Sequence, residues 1–483
     1  MAEQRQLLSR QQVDDFVNDA WLAWKTNGDA GCLTSEFLSA TMPRISPTAW
    51  LSAMGRRIVY WPQSRCDDFR VSILSSRLGK RKDLKPWWFD ALRTALLRCD
   101  FQNDCVCVVD GTAPAEFVAR GSELFGLRRL NIIVAEEPVM DFQRLVDWIM
   151  ETDRAAVAES PDRQSELEFR AFISPELMTA DTSGGAKTRE QLADQLLAVL
   201  GERLVVLSSR TNGNVERIVA ERLQVTPEPS PIVLLATATD APSPSARLID
   251  AGGIAWWLDG ENQASSVGSE VESDDPVSCV AVDDGPLGVP DDWLCHWTRA
   301  TYGPWLDQPS DDFLDELILG CESADRSALA ALMRMVSQRR ILATVATAGE
   351  PPTVSFTAVP LAEFRQRRVY RKHRQRFDFE PWGVAVRKRS LIEDGCRAVE
   401  YIDSPPGYSL QASSDQPTFT QRRFDQRQTI DWSEEKEWRF PGTLHLDKIA
   451  SDNLCYFVST AEDANRLRRQ CESRVIVVPS AAG

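Results

Sequence analysis

The sequence predicts an α/β protein in which a doubly wound parallel sheet is followed by a smaller α+β domain. Between residues 69 and 237, short apolar runs rich in β-branched residues alternate with helical patterns. Such alternation is typical of a parallel sheet that helices cover on both faces. Beyond residue 293, several short strand-like runs and two helical patterns indicate a separate α+β domain.

Five strands are predicted in the first part of the chain, each from a short apolar run. The runs are FRVSIL from Phe69, CVCVV from Cys105, LNIIVA from Leu130, RLVVL from Arg203 and PIVLLAT from Pro231. Helical patterns between them, such as Glu190–Leu200, complete a Rossmann-like α/β domain at residues 61–260. Residues 1–60 are interpreted as a helical N-terminal cap, and residues 151–188 as a polar insertion.

An acidic segment separates the two parts. Residues 261–292 contain nine Asp or Glu residues, no Lys or Arg, and many Ser, Gly and Pro. This composition cannot bury an apolar core, so an exposed flexible linker is predicted there. The α+β domain is therefore expected to occupy residues 293–483.

Charge and composition argue against several classes of protein. A net charge of −16 disfavours a general nucleic-acid coat, which needs many cations, although a local basic groove is compatible with it. The sequence has no apolar run near the ~20 residues of a membrane span and no signal-peptide core, so a cytoplasmic protein without membrane contact is expected. Three His and 11 scattered Cys residues, without a Cys-x-x-Cys pair, predict buried reduced thiols and no metal site.

Three small polar loops follow predicted strands of the first domain, where ligands of doubly wound sheets bind. Hydroxyls, backbone N–H groups and an arginine in such loops can hold an anion, so a nucleotide or phosphate site is predicted. No Gly-x-Gly-x-x-Gly or Walker-type motif accompanies them, and the alternative is an interaction domain with ordinary helix caps. The candidate residues are Ser75, Ser76, Arg77, Gly111, Thr112, Ser208, Ser209 and Arg210.

The second domain carries polar motifs in three strand-like runs. In the first run, period two places His296 and Thr298 on one face and Arg299 on the other. In the last run, Glu435 and Glu437 are predicted to share a strand face. The alternatives are a structural histidine and an edge strand whose Glu435, Glu437 and Arg439 are solvated while Trp438 and Phe440 point inward.

The order of these motifs resembles the abortive phage resistance family called AbiGi over roughly residues 293–445. The resemblance rests on His-x-Thr at 296–298, Ser-Phe-Thr at 355–357, Pro360-Leu361, Trp382-Gly383, Gly395 to Tyr401, and Glu-Lys-Glu-Trp-Arg at 435–439. The chain departs from the family at Trp382, where the family has Tyr, and at Arg397-Ala398, where it has Pro.

A more distant resemblance connects Leu294–Arg299 with the His-Gly-Ser/Thr-Arg strand of poly-ADP-ribose-polymerase-type transferases and with DarT-like DNA ADP-ribosyltransferases. It implies NAD as substrate, bound in a cleft between two small sheets, with Glu437 and His296 as the catalytic pair. The remaining residues are assigned by the same resemblance to NAD or to its acceptor. They are Thr298 on the ribose hydroxyls, Ser355 and Thr357 on the nicotinamide side, Glu435 toward the acceptor, Arg299, and either Tyr302 or Trp382 as a stacking aromatic.

These patterns lead to two interpretations of function. One is a phage-defence protein of the abortive-infection type, whose ADP-ribosyltransferase-like domain acts on or binds NAD or ADP-ribose. The other is a non-catalytic, antitoxin-like or regulatory protein whose Rossmann-like domain binds a nucleotide or a partner. A housekeeping protein whose function lies in the first domain is a third reading.

A basic stretch at residues 364–376 contrasts with the acidic chain, because seven of its thirteen residues are Lys or Arg. It predicts a patch for a pyrophosphate, a nucleic acid or an anionic protein partner. The alternatives are a solvated helix face and an internal partner for the acidic linker.

Overall fold

The computed structural model divides the chain into two compact units. The first consists of Met1–Glu270 together with Asp311–Glu322, and the second of Val271–Ser310 together with Ser323–Gly483. Residues 311–322 fall within the predicted range of the second domain, 293–483, but they belong to the first unit. The domain limits themselves stay predictions. The structure describes residues 10, 11, 13, 59–60, 68–135, 142–158, 167–174, 189–224, 231–238, 243, 245–258, 292–345, 351–361, 363, 370–371, 376–377, 379–403, 419–424 and 431–478.

The predicted helical cap at 1–60 and the predicted linker at 261–292 therefore lie almost wholly outside the described residues. No helix among the described residues is long and apolar enough to cross a membrane.

The first unit is built on one eight-stranded sheet. Its strands are β1 (Val59–Tyr60), β2 (Phe69–Ser75), β3 (Asp104–Val109), β4 (Arg129–Val134), β5 (Glu168–Ile173), β6 (Arg203–Ser208), β7 (Ile232–Thr237) and β8 (Ile254–Trp257). The order is β1-β5-β4-β3-β2-β6-β7-β8, in which β1 is antiparallel to β5 and every other neighbouring pair is parallel. The predicted fold class, a doubly wound Rossmann-like sheet followed by a smaller α+β part, is confirmed.

Helices of the first unit follow most of these strands. Those described between residues 68 and 258 are α1 (Pro86–Leu97), α2 (Ala115–Leu124), α3 (Phe142–Ala158), α4 (Arg189–Leu200), α5 (Asn214–Gln224) and α6 (Ala246–Asp250). Cys105, Cys107 and Val109 alternate along β3 and pack with α4 and α5 in one buried cluster. Complete burial of such apolar side chains contributes ~1.5–3 kcal/mol each, which explains why these strands are continuous apolar runs.

The interpretation of residues 151–188 as a polar insertion is wrong where the structure describes them. This part of the chain contains the end of α3 and the whole of β5, and β5 lies inside the sheet between β1 and β4. The polar residues of β5 are paired, because Arg170 contacts Asp153 at 2.8 Å and Glu168 contacts Arg129 at 2.9 Å. Because these ion pairs neutralise its charged side chains, β5 can lie inside the sheet without the apolar pattern that predicted the other strands.

The second unit contains a seven-stranded mixed sheet. Its strands are β9 (Trp293–Trp297), β11 (Thr353–Thr357), β14 (Gly383–Arg387), β15 (Arg397–Ala398), β18 (Glu437–Pro441), β20 (Leu454–Val458) and β21 (Arg474–Val477). They lie in the order β15-β18-β11-β9-β14-β20-β21, with only β20 and β21 parallel. Three two-stranded pairs accompany it: β10 (Arg340–Ile341) with β19 (Leu444–His445), β12 (Tyr370–Arg371) with β13 (Arg376–Phe377), and β16 (Glu400–Ile402) with β17 (Thr420–Arg422).

Four helices complete the description of residues beyond 292. They are α7 (Ser310–Leu319), α8 (Ala328–Gln338), α9 (Lys388–Glu393) and α10 (Ala461–Arg468). The helix α7 belongs to the first unit, where Arg120 of α2 donates two hydrogen bonds of 2.6 Å to Asp315. Ile318 lies next to Gly121 of α2, and the missing side chain of that glycine leaves room for Leu96 of α1. The chain therefore leaves the second unit after β9 and returns to it before α8.

The predicted alternation along β9 is confirmed by its packing. Trp293, Cys295 and Trp297 belong to one buried cluster, while Leu294 belongs to another on the opposite face. The ring of His296 lies on the Leu294 side, in edge-on contact with Phe356 of that second cluster.

The alternative of a solvated edge strand at residues 435–440 is wrong, although Trp438 and Phe440 do pack against the buried cluster as that alternative predicted. The strand β18 pairs with β11 on one side and β15 on the other, and Arg439 is 4% exposed. The prediction that Glu435 and Glu437 share a strand face is also wrong, because β18 begins only at Glu437. Glu435 ends a short 3₁₀ helix, and Lys436 turns the chain with φ +46°.

Candidate active site

A cavity of about 460 Å³ lies in the second unit beside β9, β11 and β18. In this antiparallel arrangement Thr357 is opposite both Cys295 and Glu437, and Ser355 is opposite Arg439. Three neighbouring strands therefore bring the separate sequence motifs to one wall. The predicted site residues that line the cavity are His296, Thr298, Arg299, Ser355, Thr357, Glu435 and Glu437.

His296 is held by a hydrogen bond between its Nδ1 and the backbone oxygen of Ser355, at 2.8 Å. A carbonyl oxygen can only accept, so Nδ1 carries the proton and donates it. Burial lowers the pKa of His296 to about 4; the bond to Ser355 opposes this shift, and the positive charge of Arg299 adds to it. The imidazole is therefore neutral at pH 7, and its Nε2 is a hydrogen-bond acceptor.

Glu437 is oriented by two side chains. The hydroxyl of Ser355 donates to its Oε1 at 2.8 Å, and Arg439 donates to the same oxygen from Nε at 3.0 Å. The other oxygen, Oε2, has a longer contact of 3.4 Å with Arg439. The backbone N–H of Glu437 donates to the hydroxyl of Tyr401 at 3.0 Å, and Arg439 also donates to Gln421 at 2.9 Å.

The two predicted threonines use their hydroxyls within the protein. Thr357 donates to the backbone oxygen of Glu435 at 2.5 Å and accepts from the N–H of Val359 at 3.0 Å. Thr298 donates to the backbone oxygen of Trp382 at 3.0 Å and is 1% exposed. Ser355 instead connects the His296 and Glu437 strands, because its backbone oxygen bonds His296 and its hydroxyl, which is exposed to the cavity, bonds Glu437.

The two predicted stacking aromatics do not line this cavity. Trp382 donates from Nε1 to the carboxylate of Asp463 at 3.0 Å and packs against the buried cluster of the unit. Tyr302 lies in the segment after β9 and is likewise absent from the described cavity wall. The aromatic side chains that do line it are Trp297, Trp305, Phe356 and Phe379.

Another wall, formed by the loop Trp305–Asp307, α8 and β10, was not predicted from the sequence. Arg334 and Arg340 each donate to Asp307 at 2.8 Å, one to each carboxylate oxygen. The hydrogen bond from Arg334 is the main cause that lowers the pKa of Asp307. Trp305 lies against Arg326, whose guanidinium carbon is 4.6 Å from the ring centroid. No periodic pattern marks this loop, so its signal was only the presence of Trp and Asp in a Pro- and Gly-containing segment.

In the first unit, the two Ser-Ser-Arg loops meet at the point where the strand order reverses, between β2 and β6. Ser75 and Ser208 share a hydrogen bond of 2.9 Å, and Trp88 donates to Ser75 at 2.8 Å. The N–H of Arg210 donates to the hydroxyl of Ser76, and its guanidinium donates to the backbone oxygen of Arg77. The cavity that Ser208 and Ser209 line is only about 20 Å³.

Glu216 occupies the start of α5 at this edge of the sheet. Its carboxylate accepts from the N–H of Asn212 at 2.6 Å and from the hydroxyl of Ser245, and it is 2% exposed. This internal carboxylate takes the position near a helix N-terminus that an external anion prefers.

Gly111 and Thr112 lie apart from that junction. They line a different cavity, of about 610 Å³, together with Arg129, Asn131 and Glu168. The hydroxyl of Thr112 donates to the backbone oxygen of Val109 at 2.9 Å. The structure thus divides the predicted anion-site residues between two places, and the anion site stays a prediction.

Most of the basic stretch at 364–376 lies outside the described residues. Its described part pairs Tyr370 with Phe377 and Arg371 with Arg376 in two antiparallel strands. A helix is therefore the wrong interpretation of residues 370–371, and the predicted anionic partner stays a prediction.

Within the described ranges, no group of three or more His, Cys, Asp or Glu side chains could hold a metal ion. Cys105, Cys107 and Cys295 are buried, and burial raises the pKa of Cys107 and Cys295 to about 12. The thiols of Cys107 and Cys295 therefore stay protonated at neutral pH.

No protein-family model and no curated protein matches the sequence. Among solved structures, the chain is similar to DNA processing protein A (DprA) from Streptococcus pneumoniae, with 12% sequence identity and a TM-score of 0.26. The similarity covers 52% of this chain and 84% of that chain. A likeness at this level assigns no function to either unit.

Proposed function

We propose that the second unit is an NAD-dependent transferase that breaks the nicotinamide–ribose bond, as ADP-ribosyltransferases do. One observation carries the proposal: His296, Ser355 and Glu437 lie on three adjacent strands and line one cavity. The resemblance of the 293–445 motifs to the AbiGi and ADP-ribosyltransferase families supports the choice of NAD.

Glu437 is the residue that meets the reacting ribose in this proposal. When the bond breaks, its electron pair goes to the ring nitrogen, nicotinamide leaves neutral, and positive charge develops at the ribose carbon. A fixed carboxylate beside that carbon stabilises the oxocarbenium-like state. Ser355 and Arg439 converge on Oε1, so the lone pairs of Oε2 are directed to a ribose hydroxyl.

His296 acts as a positioning group for the ribose. Its neutral form presents Nε2 as an acceptor, which suits a hydroxyl donor and places no positive charge next to the developing cation. The acceptor nucleophile then forms a bond to the ribose carbon and loses its proton to a base. Glu437 is the described carboxylate best placed for that proton, since Glu435 is set back in the preceding turn.

The same proposal assigns this activity to phage defence, where loss of NAD or modification of a cellular target would stop an infected cell. A second candidate, a non-catalytic binding protein, is favoured by the ion pair between Arg439 and Glu437 at 3.0 Å. A guanidinium this close offsets the negative charge that the transition state needs.

Nicotinamide release from NAD by the purified chain tests the proposal. The wild-type protein should release nicotinamide, and Glu437→Gln should lower the rate by at least a hundredfold, since a catalytic carboxylate supplies several kcal/mol. Glu434→Gln is the matched control, because Glu434 is exposed, lies three residues earlier and does not line the cavity. Equal background rates in wild type and Glu437→Gln would contradict catalysis. Binding of ADP-ribose without turnover would then favour the binding protein.

A further inference from the structure

The cavity of the second unit has a cationic group that the bond-breaking step does not use. We propose that Arg334 and Arg340 form a phosphate-binding subsite, so that this cavity accepts a nucleotide and discriminates against a nucleoside without phosphate. This subsite rests on the proposed function only for the choice of NAD as the substrate. The titration with ADP-ribose described below does not depend on any bond being broken.

The two guanidinium groups come from different elements and converge on one carboxylate. Arg334 of α8 and Arg340 of β10 each lie 2.8 Å from an oxygen of Asp307. The side chains of Arg334, Arg340 and Asp307 are 32%, 37% and 26% exposed, so all three remain accessible from the cavity they line. Gln338 adds a longer contact of 3.5 Å to the same carboxylate.

The charge of this group favours an anion. Two guanidinium groups against one carboxylate leave a net charge of +1 on a chain whose total is −16. Each guanidinium has five N–H donors; Asp307 accepts from one donor of each, and Gln338 accepts from the Nε–H of Arg340 at 3.4 Å. The remaining donors match the oxygens of a phosphate, to which arginine binds in a two-pronged geometry.

Asp307 fixes the two long side chains before a ligand arrives. A free arginine loses ~2 kcal/mol of rotamer entropy when it is ordered, and an ion pair that already orders it removes that cost from binding. The carboxylate keeps this role at neutral pH because its hydrogen bond with Arg334 lowers its pKa.

Trp305 indicates which kind of phosphate compound fits. Its half-buried indole lines the same cavity, with the guanidinium carbon of Arg334 5.6 Å from the ring centroid. A flat heterocyclic ring stacks on such an indole, and a phosphate on the same molecule reaches the arginines. A nucleotide carries both groups, whereas a sugar phosphate or inorganic phosphate lacks the ring.

Comparison of two substrates tests the subsite: NAD and nicotinamide riboside, which has no phosphate. Arg334→Gln and Arg340→Gln should each raise the KM for NAD roughly tenfold to a hundredfold, the loss of one charge-assisted hydrogen bond, and leave kcat largely unchanged. The kcat/KM for the riboside should not change. Equal impairment for NAD and riboside, or none for NAD, overturns the proposal.

Arg389→Gln is the matched control, because Arg389 is in the same unit but 89% exposed and outside the cavity wall. Its KM for NAD should equal that of the wild type. The melting temperature of every variant is measured, and Arg340→Lys replaces any unstable variant. Lysine keeps the positive charge but lacks the paired N–H donors of the guanidinium. Its KM for NAD should therefore lie between those of the wild type and Arg340→Gln.

Calorimetric titration with ADP-ribose separates this proposal from catalysis. Wild type and Arg389→Gln should bind ADP-ribose with equal affinity, while Arg334→Gln and Arg340→Gln bind roughly tenfold more weakly. This result supports the subsite even if no nicotinamide is released. Absence of ADP-ribose binding by the wild type, or equal binding by all variants, overturns it.

Discussion

The hydroxyl of Ser355 donates a 2.8 Å hydrogen bond to Oε1 of Glu437 from the neighbouring strand of the same sheet. The backbone oxygen of Ser355 meanwhile accepts from His296 on the other side. One residue of β11 thus connects the histidine strand with the glutamate strand. The connection depends on strand register, because a shift of one residue would turn the hydroxyl to the opposite face.

Ser355→Ala should therefore reduce activity more than stability. The substitution removes one hydrogen bond to a carboxylate, worth ~1.5–3 kcal/mol, so kcat for nicotinamide release should fall roughly tenfold to a hundredfold. Because Ser355 is exposed, the melting temperature should change little. Thr357→Ser, which keeps the hydroxyl that bonds Glu435, serves as the control and should retain most activity.

The depressed pKa of His296 predicts a pH dependence of stability. Its pKa falls from 6.5 to about 4 on folding, so between these values the unfolded chain binds more protons than the folded chain. By linkage, the stabilisation is present above pH 6.5 and is lost as pH falls toward 4, by about 2 kcal/mol at most between pH 7 and 5.

Denaturant unfolding at pH 7 and pH 5 measures this effect. His296→Gln should lose less stability than the wild type over that interval. His445→Gln, at an exposed histidine of β19, is the control and should behave like the wild type. An identical pH dependence in His296→Gln and wild type would show that His296 is not the titrating group.

Arg439 is expected to hold Glu437 and Gln421 together in a way that no other residue reproduces, lysine included. Its Nε reaches Glu437 and its terminal nitrogen reaches Gln421, in two directions that a single ammonium cannot satisfy together. Breaking such a buried pair costs ~3–5 kcal/mol, so Arg439→Gln should lower the melting temperature strongly. Arg439→Lys should fold, with a lower kcat for nicotinamide release. Unchanged kcat in Arg439→Lys would argue against an orienting role for the guanidinium.

The sequence could predict the elements that rest on local pattern. Apolar runs such as that at Cys105 reveal strands buried on both faces, because those strands have no polar side. The strand β5 was missed because ion pairs with Arg129 and Asp153, distant in sequence, neutralise its charges. Ion pairs between residues far apart in sequence cannot be recognised from the local pattern of apolar and polar residues.

The site shows the same division. Motif order brought His296, Ser355 and Glu437 together as candidates, and period two placed His296 correctly on β9. Ser355 and Thr357 are two residues apart on β11 and so point to the same face of the sheet. Only the register between β11 and β18 shows that Ser355, and not Thr357, bonds the carboxylate of Glu437. Trp305 and Asp307 could be identified as site residues only from the structure, because their partners are arginines about twenty to thirty-five residues away in sequence.

The position of β9 in the sheet depends on a glycine in the next strand. Gly383 of β14 lies opposite Trp297, and a Cβ there would collide with the backbone oxygen of His296 and the ring of Phe457. Phe457 is completely buried and cannot move aside freely. Gly383→Ala should therefore push β14 away from β9 and cost ~1–3 kcal/mol of unfolding free energy, as overpacking does.

Because the displaced backbone is that of His296, Gly383→Ala should also weaken the His296–Ser355 hydrogen bond and lower activity at temperatures where the variant is still folded. Gly303→Ala is the matched control: a Cβ at Gly303 meets no atom within 4 Å, so stability and activity should be retained. Circular dichroism gives the unfolding free energy and nicotinamide release gives the activity. A Gly383→Ala variant as stable and active as Gly303→Ala would mean that β9 does not depend on this close approach.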